Sequence, residues 1–419
     1  CHGGCPVDNL SPEWTELLFN GDWRGASERL HHTNNFPEFT GRICPAPCEH
    51  SCVLNIEEDP VTIRENEVAI VERAFAEGYI KPNPPQVRTG KKVAIIGSGP
   101  AGMAAADQLN RAGHSVTLFE KDRKAGGLLR YGIPDFKLNK QTIDRRLKIL
   151  MAEGVEIKTE TEVGKDIAGK DMLKQYDAIC LAIGAMQPRD LPIEGRDLDG
   201  IHFAMDFLTQ QNKVNDGAYV AYDNRITAEN RKVLVIGGGD TGSDCVGTAI
   251  RQGAKSVLQI EILPKPPEKR SSDNPWPYTA KTLKTSTSHE EGCERRWSLT
   301  TLRFLGMQQR VSQAEVQEVN WKPLNGSHQM DLVEGSKELI DADLILLAMG
   351  FVHPVYEGLL KELDISLDSR KNIAVDLVMA TNVEKVFAAG DAAEGASLVV
   401  NAIASGRKVA KRIDEFLGS

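Results

Sequence analysis

Five of the eight cysteines lie within the first 52 residues, at spacings that can bring thiols together. They form two runs, Cys1-x3-Cys5-Pro and Cys44-Pro-x2-Cys48-x3-Cys52. In a long chain without a secretion signal, such spacing is more typical of metal or cluster binding than of a disulfide framework. Soft thiolates are the ligands that iron–sulfur clusters require, so the runs predict clusters. Zinc is the alternative, because His2 and His50 lie close enough to complete a four-ligand set.

A glycine-rich turn directly follows a short apolar strand and opens a helix. Gly97, Gly99 and Gly102 satisfy G-x-G-x-x-G. The first glycine allows the tight turn, the second lets the backbone approach a pyrophosphate, and the third lets the helix pack on the strand. Pro100 suits the first helical position, and the helix N-terminus favours phosphate charge. Glu120 ends the next strand, where it can accept a ribose hydroxyl, so the pattern predicts a dinucleotide site rather than a merely tight turn.

The same pattern recurs later in the chain, which indicates an internal duplication. Lys91–Gly102 aligns with Arg231–Gly242, and Gly113–Glu120 aligns with Ala254–Glu261. A later pair of apolar strands also corresponds, at 176–184 and 342–350. Two dinucleotide-binding folds are therefore predicted. The expected contacts of the second nucleotide are Gly237, Gly239, Asp240, Thr241, Gly242, Glu261, Lys265, Arg270 and Gly350.

The C-terminal part indicates which nucleotide each unit binds. A strand ends in Gly390 and Asp391, and a helix begins near Ser397. This ending resembles two-dinucleotide flavoproteins, in which the aspartate contacts FAD and the helix N-terminus faces the flavin ring. The first unit is therefore expected to bind FAD, and the second NADH or NADPH. The expected FAD contacts are Gly97, Gly99, Pro100, Ala101, Gly102, Glu120, Gly127, Leu128, Gly184, Gly390, Asp391 and Ser397.

A glycine-rich stretch between the two units, residues 126–134, has too little hydrophobic periodicity for a simple element. It can lie against the isoalloxazine ring, and a surface turn is the alternative. No redox-active Cys-x-x-Cys pair accompanies it. Electrons leaving the flavin therefore need another acceptor, which the N-terminal cysteines can supply. Hydride transfer would occur on the flavin itself, so no catalytic side chain is predicted.

Two local features bear on the choice of nicotinamide nucleotide, and they favour opposite answers. Glu261 ends the second strand of its unit, where a carboxylate accepts the 2′-hydroxyl of NADH and repels the 2′-phosphate of NADPH. Lys265, Lys269 and Arg270 follow in a proline-rich loop. A cation from this loop could bind the 2′-phosphate, or the run could simply be solvated. We give Glu261 more weight, which favours NADH, and leave both nucleotides open.

Composition and charge bound the class of protein. The 419 residues are 41% hydrophobic and 26% charged, which is enough for two or three domains. The net charge of -9 and the lack of basic runs interleaved with aromatics argue against nucleic-acid binding. Apolar runs fall far short of the ~20 residues of a membrane span, so they predict buried strands. We expect a cytoplasmic protein with no membrane partner, and an additional segment upstream of Cys1.

The order of these features predicts the domain organisation. The fold class is α/β, with two Rossmann-like dinucleotide-binding domains of the glutathione-reductase type preceded by a small α-helical iron–sulfur domain. Prolines at 82, 84 and 85 indicate a linker. The expected divisions are an iron–sulfur domain at 1–85, the first part of the FAD domain at 86–200, the NAD(P)H domain at 201–343 and the second part of the FAD domain at 344–419.

Essentially the whole chain resembles the small (beta) subunit of glutamate synthase. The electron-entry half of dihydropyrimidine dehydrogenase shares the same plan, with two 4Fe-4S clusters in its helical domain. The motifs that carry the resemblance are Cys1-x3-Cys5-Pro with Pro12–Trp14, Thr33–Phe39, Gly41–Cys48, Gly127–Pro134 and Gly237–Asp244.

The resemblance implies a ligand set for each cluster. Cys5, Cys44 and Cys48 would bind one cluster, with Glu67 as a fourth, non-cysteine ligand. Cys1 and Cys52 would bind the other, which in the family also uses a Cys-x-x-Cys pair just upstream. Glu67 has an ordinary alternative as a solvated helix residue.

The resemblance also implies an activity and a partner. Electrons from NAD(P)H would pass through FAD and the clusters to a large (alpha) subunit, which makes glutamate from glutamine and 2-oxoglutarate. Two alternatives remain. One is an oxidoreductase of the same family that serves ferredoxin, sulfide or a pyrimidine-reducing partner, and the other is a redox-inactive binding scaffold.

Overall fold

The N-terminal part of the chain folds into a small helical domain. The computed structural model describes residues 1–221, 224–324 and 327–418. Short 3-10 turns at His2–Gly4 and Val53–Ile56 accompany the helices. Fully buried aromatic and aliphatic side chains, among them Trp14 and Phe39, form the domain core. The helices are α1 (Ser11–Phe19), α2 (Trp23–Thr33), α3 (Pro37–Ile43), α4 (Pro47–His50) and α5 (Ile63–Ala76).

The first α/β unit follows the linker. Its central strand is buried along Val93–Ile96, as expected for a strand covered on both faces. The elements up to the second unit are β1 (Lys92–Ile96), α6 (Pro100–Arg111), β2 (Ser115–Phe119), α7 (Gly127–Tyr131), α8 (Lys140–Ala152), β3 (Glu156–Lys158), α9 (Gly169–Gln175), β4 (Ala178–Leu181) and β5 (Gln187–Pro188).

The second α/β unit repeats the strand, glycine turn and helix, and then adds a set of antiparallel strands. Its elements are β6 (Ile201–Phe203), α10 (Ala204–Asn215), β7 (Lys232–Ile236), α11 (Asp240–Arg251), β8 (Ser256–Ile260), α12 (Thr287–Glu290), β9 (Glu294–Arg296), β10 (Leu299–Met307), β11 (Arg310–Leu324), β12 (Ser327–Leu332), β13 (Glu338–Asp341) and β14 (Leu344–Leu347).

The chain then returns to the first unit and completes it. The returning elements are β15 (Phe351–His353), α13 (Leu359–Glu362), β16 (Val386–Ala388), α14 (Asp391–Glu394) and α15 (Val399–Leu417). β15 pairs with β5 in an antiparallel ribbon, so the outgoing and returning segments run side by side between the two units.

Two parallel five-stranded sheets form the body of the molecule. The first has the order β16-β4-β1-β2-β3, and the second has the order β6-β14-β7-β8-β9. In each sheet the strand that carries the glycine turn, β1 or β7, lies in the middle, with a parallel neighbour on either side. The duplication visible in the sequence therefore corresponds to two sheets with equivalent central strands.

One expected domain boundary is corrected by the strand pairing. We expected the second part of the FAD domain to begin at residue 344. Strand β14 instead pairs in parallel with β7 and β6, so Leu344–Leu347 belongs to the second sheet. The second unit therefore extends through β14, as the alignment of 342–350 with 176–184 already implied.

The helical domain docks on the first unit. A buried ion pair joins Arg146 of α8 to Glu38 of α3, and Arg407 of α15 donates a hydrogen bond to Asn35 (2.7 Å). Helix α15 packs against α6 so closely that a Cβ atom on Gly406 would collide with the Ala101 carbonyl. Among the described residues, no helix has the length and apolar character that crossing a membrane requires.

Candidate cofactor and electron-transfer sites

The first glycine turn has the geometry of a nucleotide cradle. Gly97 has a φ of +104°, and a Cβ atom there would collide with the carbonyl of Ala182, the residue after β4. A Cβ atom on Gly102 would collide with the Gly97 carbonyl, so this glycine permits the contact between turn and helix. Gly99 differs, because a Cβ atom there would meet no protein atom within 4 Å. The space beside Gly99 is open to a ligand, and Pro100 begins α6 next to it.

The loop at residues 126–134 closes over this turn. An ideal Cβ atom on Gly127 would lie 2.9 Å from the Cα of Gly99, and the Gly126 amide donates to the Ser98 hydroxyl (2.8 Å). Leu128 follows in the first turn of α7. The Glu120 carboxylate, at the end of β2, accepts hydrogen bonds from the Ser98 amide (3.3 Å) and hydroxyl. These groups converge at the carboxyl end of the first sheet, where open α/β sheets bind ligands.

Asp391 and the start of α15 complete this side of the site. Asp391 begins α14 after a short turn that follows β16, and Ser397 donates a hydrogen bond to its carboxylate (3.2 Å). Burial raises the pKa of Asp391 to about 6, because the site removes the carboxylate from water. Gly390 has a φ of +66°, and Gly184, which follows β4, has a φ of +71°. The expected FAD contacts thus lie at strand ends of one sheet, and this backbone cradle fits a dinucleotide.

The second glycine turn reproduces the first. Gly237 has a φ of +123° and faces the Ala348 carbonyl of the segment after β14, and Gly242 packs on the Gly237 carbonyl. A Cβ atom on Gly239 would again meet open space. The Glu261 carboxylate accepts the Gly238 amide (2.5 Å). Asp240 and Thr241 begin α11, and Gly350 has a φ of +80°. This backbone cradle also fits a dinucleotide.

A buried polar network under the second turn was not predicted from sequence. Gln259 donates to the Gly237 carbonyl (2.8 Å), and its own carbonyl lies 2.9 Å from His289 Nε2. His289 Nδ1 accepts the Ser286 amide (3.1 Å), so the Nε2 atom carries the proton and donates. Burial lowers the pKa of His289 to about 4, which keeps it neutral. The sequence did contain a signal for this network. The residue aligned with Gln259 in the first unit is Leu118, so the duplication has a polar side chain in place of an apolar one at this strand position.

The cations of the proline-rich loop separate into two groups. Lys265 lies over the Trp297 ring (5.5 Å to the centroid), as does Arg295 of β9 (5.0 Å). The Arg270 guanidinium instead donates to the carbonyls of Tyr278 (2.6 Å) and His50 (2.9 Å). Lys265 therefore lies beside the second sheet, whereas the Arg270 guanidinium binds one carbonyl of its own loop and one of the N-terminal domain. Sequence reasoning missed Arg295, which no motif distinguishes from an ordinary strand residue.

The N-terminal domain contains a cavity lined by three thiols and a carboxylate. Cys5, Cys44, Cys48 and Glu67 all line it. Helix α5 supplies Glu67 and α4 supplies Cys48, whereas Cys5 and Cys44 directly follow the first 3-10 turn and α3. All eight cysteines of the chain are free thiols in the structure. Burial raises the pKa of the Cys5 thiol, and it raises that of Cys44 to about 12. Such thiols stay protonated until a metal binds and displaces the proton.

Glu67 is oriented within this cavity by two hydrogen bonds. Its carboxylate accepts the Asn9 amide (2.5 Å) on one oxygen and the Thr40 hydroxyl (3.0 Å) on the other. Burial raises the pKa of Glu67 to about 8, and a cationic metal centre would favour the ionised form. Three soft thiols and one oriented carboxylate fit a cluster. Among the described residues, no three His, Cys, Asp or Glu side chains converge tightly enough to hold a single metal ion.

Cys1 and Cys52 do not line this cavity, and a backbone contact links their two segments. The Cys1 backbone nitrogen donates to the Ser51 carbonyl (3.1 Å), and a Cβ atom on Gly4 would collide with the Ser51 side chain. Cys52 is buried and Cys1 is partly exposed. The cavity thus gathers Cys5, Cys44 and Cys48, and the assignment of Cys1 and Cys52 to a second cluster stays a prediction.

The comparisons with known proteins match the whole chain. A family model for pyridine nucleotide-disulphide oxidoreductases matches residues 91–406. A model for dihydropyrimidine dehydrogenase domain II, 4Fe-4S cluster, matches residues 1–79. The chain is 50% identical over 420 residues to the glutamate synthase (NADPH) small chain of Mycobacterium tuberculosis, with 100% of this chain and 85% of that one covered.

More distant similarities extend to a larger protein and to solved structures. The chain is 45% identical over 428 residues to glutamate synthase (NADH) of Saccharomyces cerevisiae, covering 99% of this chain and 20% of that protein. Mycobacterium tuberculosis FprA in complex with NADPH has a similar fold, with a TM-score of 0.62 and 17% identity over 78% of this chain and 85% of that one.

Proposed function

Because the chain belongs to the glutamate synthase small chains, we propose that it takes hydride from NADH or NADPH and delivers electrons to a large subunit that makes glutamate. The comparisons confirm the predicted resemblance, the α/β fold class with its N-terminal iron–sulfur domain, and the cofactor classes FAD, NAD(P)H and 4Fe-4S. The chain is an NAD(P)H-dependent oxidoreductase, and its relatives are named as small chains, which implies a large partner. A cytoplasmic location stays a prediction.

One observation best supports this electron route. Val400, in the first turn of α15, lines the cavity of Cys5, Cys44 and Cys48. The same helix begins beside Ser397 and Asp391, at the proposed flavin site. The cluster cavity and the flavin site would thus lie on two sides of one helix end, which gives a short path between them.

The residues of the chain would bind and orient the reactants. FAD, when bound, supplies the chemistry of accepting a hydride and releasing its electrons singly. Gly97, Gly99 and Gly102 would let the backbone approach the FAD pyrophosphate, and α6 would stabilise its charge. Gly127 and Leu128 would lie along the ring, and the second glycine turn would hold the nicotinamide nucleotide in the same way.

The partner surface would lie beside the second cysteine group. Val53, Leu54 and Ile56 follow Cys52 directly and are exposed by 46% to 64%. Three neighbouring exposed aliphatic side chains next to a proposed cluster ligand favour a covering protein. We propose that the large (alpha) subunit covers them and receives electrons there.

Cysteine substitution tests this function. Cys44→Ser should lower the iron and acid-labile sulfide content and abolish glutamate formation with the large subunit, because one cluster loses a ligand. FAD content and NAD(P)H-dependent dye reduction should persist, since the glycine turns are untouched. Cys293→Ser, a half-buried cysteine of the second unit, is the matched control and should keep all of these properties. Zinc without sulfide in the unmodified protein would refute the proposal.

A further inference from the structure

One peptide of the second glycine turn is held at both ends by neighbouring side chains. Its carbonyl, from Gly237, accepts a hydrogen bond from Gln259 Nε2 (2.8 Å). Its amide, from Gly238, donates to the Glu261 carboxylate (2.5 Å). Gln259 lies in β8 and Glu261 directly follows this strand, two residues along, so both side chains point to the same face of the sheet. The plane of this peptide is therefore fixed just before Gly239, where the space is open to a ligand.

The first glycine turn is held in a different way. At the position of Gly238 it has Ser98, whose hydroxyl donates to the Glu120 carboxylate. At the position of Gln259 it has the fully buried Leu118, which has no group that can donate to a carbonyl. The second unit thus lacks the serine that fastens the first turn and has a glutamine in place of the leucine. The two exchanges together indicate that Gln259 takes over the fastening of the turn.

His289 determines which end of the Gln259 amide faces the turn. The Ser286 amide donates to His289 Nδ1 (3.1 Å), which leaves the proton on Nε2. That Nε2 atom lies 2.9 Å from Gln259 Oε1 and donates to it. Because the glutamine oxygen is occupied by His289, its NH2 group is directed to the Gly237 carbonyl.

The hydrogen bonds then return to the helix that begins at the turn. Ser286 caps α12, and its hydroxyl lies 2.6 Å from the hydroxyl of Ser243, in the first turn of α11. A Cβ atom on Gly242 would collide with Gln259 Nε2, so this glycine also makes room for the amide. Gln259 and Ser243 are almost fully buried. Removing one partner from such a network leaves a buried polar group unsatisfied, which is costly.

We propose that Gln259 and His289 are positioning residues for the nicotinamide nucleotide. This inference rests on the proposed function, which places the nucleotide at the second glycine turn. Gln259 keeps the Gly237 carbonyl turned inward, so that backbone amides rather than a carbonyl face the pyrophosphate beside Gly239. A turn that adopts this conformation for a smaller fraction of the time binds proportionately more weakly. The pyrophosphate is common to NADH and NADPH, so the pair affects affinity and not the choice between them.

Four variants of the FAD-loaded protein test this inference. Gln259→Leu introduces the residue that the first unit has at this buried position. His289→Asn can still accept the Ser286 amide but is too short to reach Gln259, whereas His289→Gln is long enough to restore both contacts. Gln317→Leu is the matched control, because Gln317 is a buried glutamine of β11 that donates to the Val333 carbonyl (2.7 Å) instead.

The main measurement is an equilibrium titration of the oxidised protein with NADP⁺ and with NAD⁺, in which no electrons are transferred. We expect Gln259→Leu to raise the Kd for both nucleotides by about tenfold, the effect of losing one buried hydrogen bond. His289→Asn should raise both values by a smaller factor, and His289→Gln should recover them. In dye reduction, the KM values for NADPH and NADH should rise in parallel while kcat and FAD content persist. Gln317→Leu should bind both nucleotides like the unmodified protein.

Two results would overturn the inference. One is an unchanged Kd for both nucleotides in Gln259→Leu with normal FAD content. The other is equal weakening in Gln259→Leu and Gln317→Leu, which would trace the effect to a general loss of packing. Circular dichroism reports on folding, and if Gln259→Leu does not fold, equal Kd values in His289→Asn and His289→Gln would overturn the inference instead.

A further variant, Gly239→Glu, separates this failure from that of the proposed function. Its side chain has room in the protein but would occupy the pyrophosphate position, so nucleotide binding should be lost whatever Gln259 does. Undiminished binding in Gly239→Glu would refute the placement of the nucleotide at the second turn, and this inference with it. Lost binding in Gly239→Glu with an unchanged Kd in Gln259→Leu would refute the inference alone.

Discussion

At the scale of single residues, the glycines of the two turns divide by what surrounds them. Gly97 and Gly102 face protein atoms, and so do Gly237 and Gly242 in the second unit. Gly99 and Gly239 face open space. The first kind is needed for the protein to pack, whereas the second kind is needed only when a nucleotide lies against the backbone.

Gly99→Glu should therefore abolish FAD binding without unfolding the chain. The new side chain has room in the protein but would occupy the pyrophosphate position and add negative charge beside it. Absorbance of the purified protein and circular dichroism measure the two properties. Gly102→Ala is the contrasting variant and should disturb folding as well, because its Cβ atom collides with the Gly97 carbonyl. Stoichiometric FAD in Gly99→Glu would show that the first unit does not bind FAD.

Glu261→Ala should raise the kcat/KM for NADPH relative to that for NADH. Its carboxylate lies at the ribose end of the proposed site, and removing it leaves Lys265 and Arg295 without an opposing charge. Steady-state kinetics with both nucleotides measure the ratio, and Glu268→Ala, which removes an exposed carboxylate of the loop between β8 and α12, is the control. An unchanged ratio would mean that Glu261 does not contact the ribose.

At the scale of elements, helix α11 begins at the end of the second glycine turn and also contacts the first unit. Its buried Asp244 pairs with Lys137, which lies in the loop between α7 and α8. Asn212 of α10 donates to the Tyr131 (3.0 Å) and Ile133 (3.1 Å) carbonyls of the same loop. The loop along the proposed flavin ring is thus held by helices of the nucleotide-binding unit.

This contact should make stability depend on pH. Burial, only partly offset by Lys137, raises the pKa of Asp244 from 3.8 to about 6. A carboxyl group whose folded-state pKa is raised stabilises the protein below its unfolded pKa, and this contribution is lost as the pH rises through the folded pKa. From pH 4 to 7, the free energy of unfolding should fall by up to about 3 kcal/mol relative to Asp244→Asn.

Urea denaturation across this pH range measures the difference. Glu229→Gln, which removes an exposed carboxylate elsewhere in the second unit, should leave the pH dependence of the unmodified protein intact. Parallel curves for the unmodified protein and Asp244→Asn would contradict the expected titration of Asp244.

At the scale of the whole molecule, the N-terminal domain is tied to both α/β units. The hydrogen bond from Arg270 to the His50 carbonyl joins it to the second unit, and the Arg146–Glu38 pair joins it to the first. Both side chains of that pair are almost fully buried. An electron path from flavin to clusters depends on this docking, because each cofactor belongs to a different part of the chain.

Glu38→Ala should lower the free energy of unfolding by about 3–5 kcal/mol, because it leaves the Arg146 guanidinium buried and unpaired. Urea denaturation measures the loss, and proteolysis in the linker at 81–88 should accelerate. Glu28→Ala breaks an exposed pair with Arg24 and should change stability by less than about 1 kcal/mol. Equal effects of the two variants would mean that the buried pair does not hold the domains together.

The sequence by itself determined the features that depend on local spacing. Both glycine turns, the carboxylates that end β2 and β8 and the clustered cysteines were visible, because a strand, a tight turn and a helix N-terminus are encoded within about 30 residues. The family resemblance added the grouping of the cysteines. The predicted FAD, nucleotide and cluster contacts of individual side chains stay predictions.

Only the tertiary structure decided contacts between segments that are distant in the chain. Arg270 looked like a phosphate ligand because it follows Glu261 closely, yet its guanidinium reaches His50, which is 220 residues away. The assignment of Leu344–Leu347 to the second sheet required strand pairing, because a buried apolar strand carries no mark of its neighbour. The position of Val400 in the lining of the cysteine cavity was also not visible in the sequence, because no local pattern marks its distant neighbours. Spacing along the chain encodes local turns, whereas packing decides which distant groups meet.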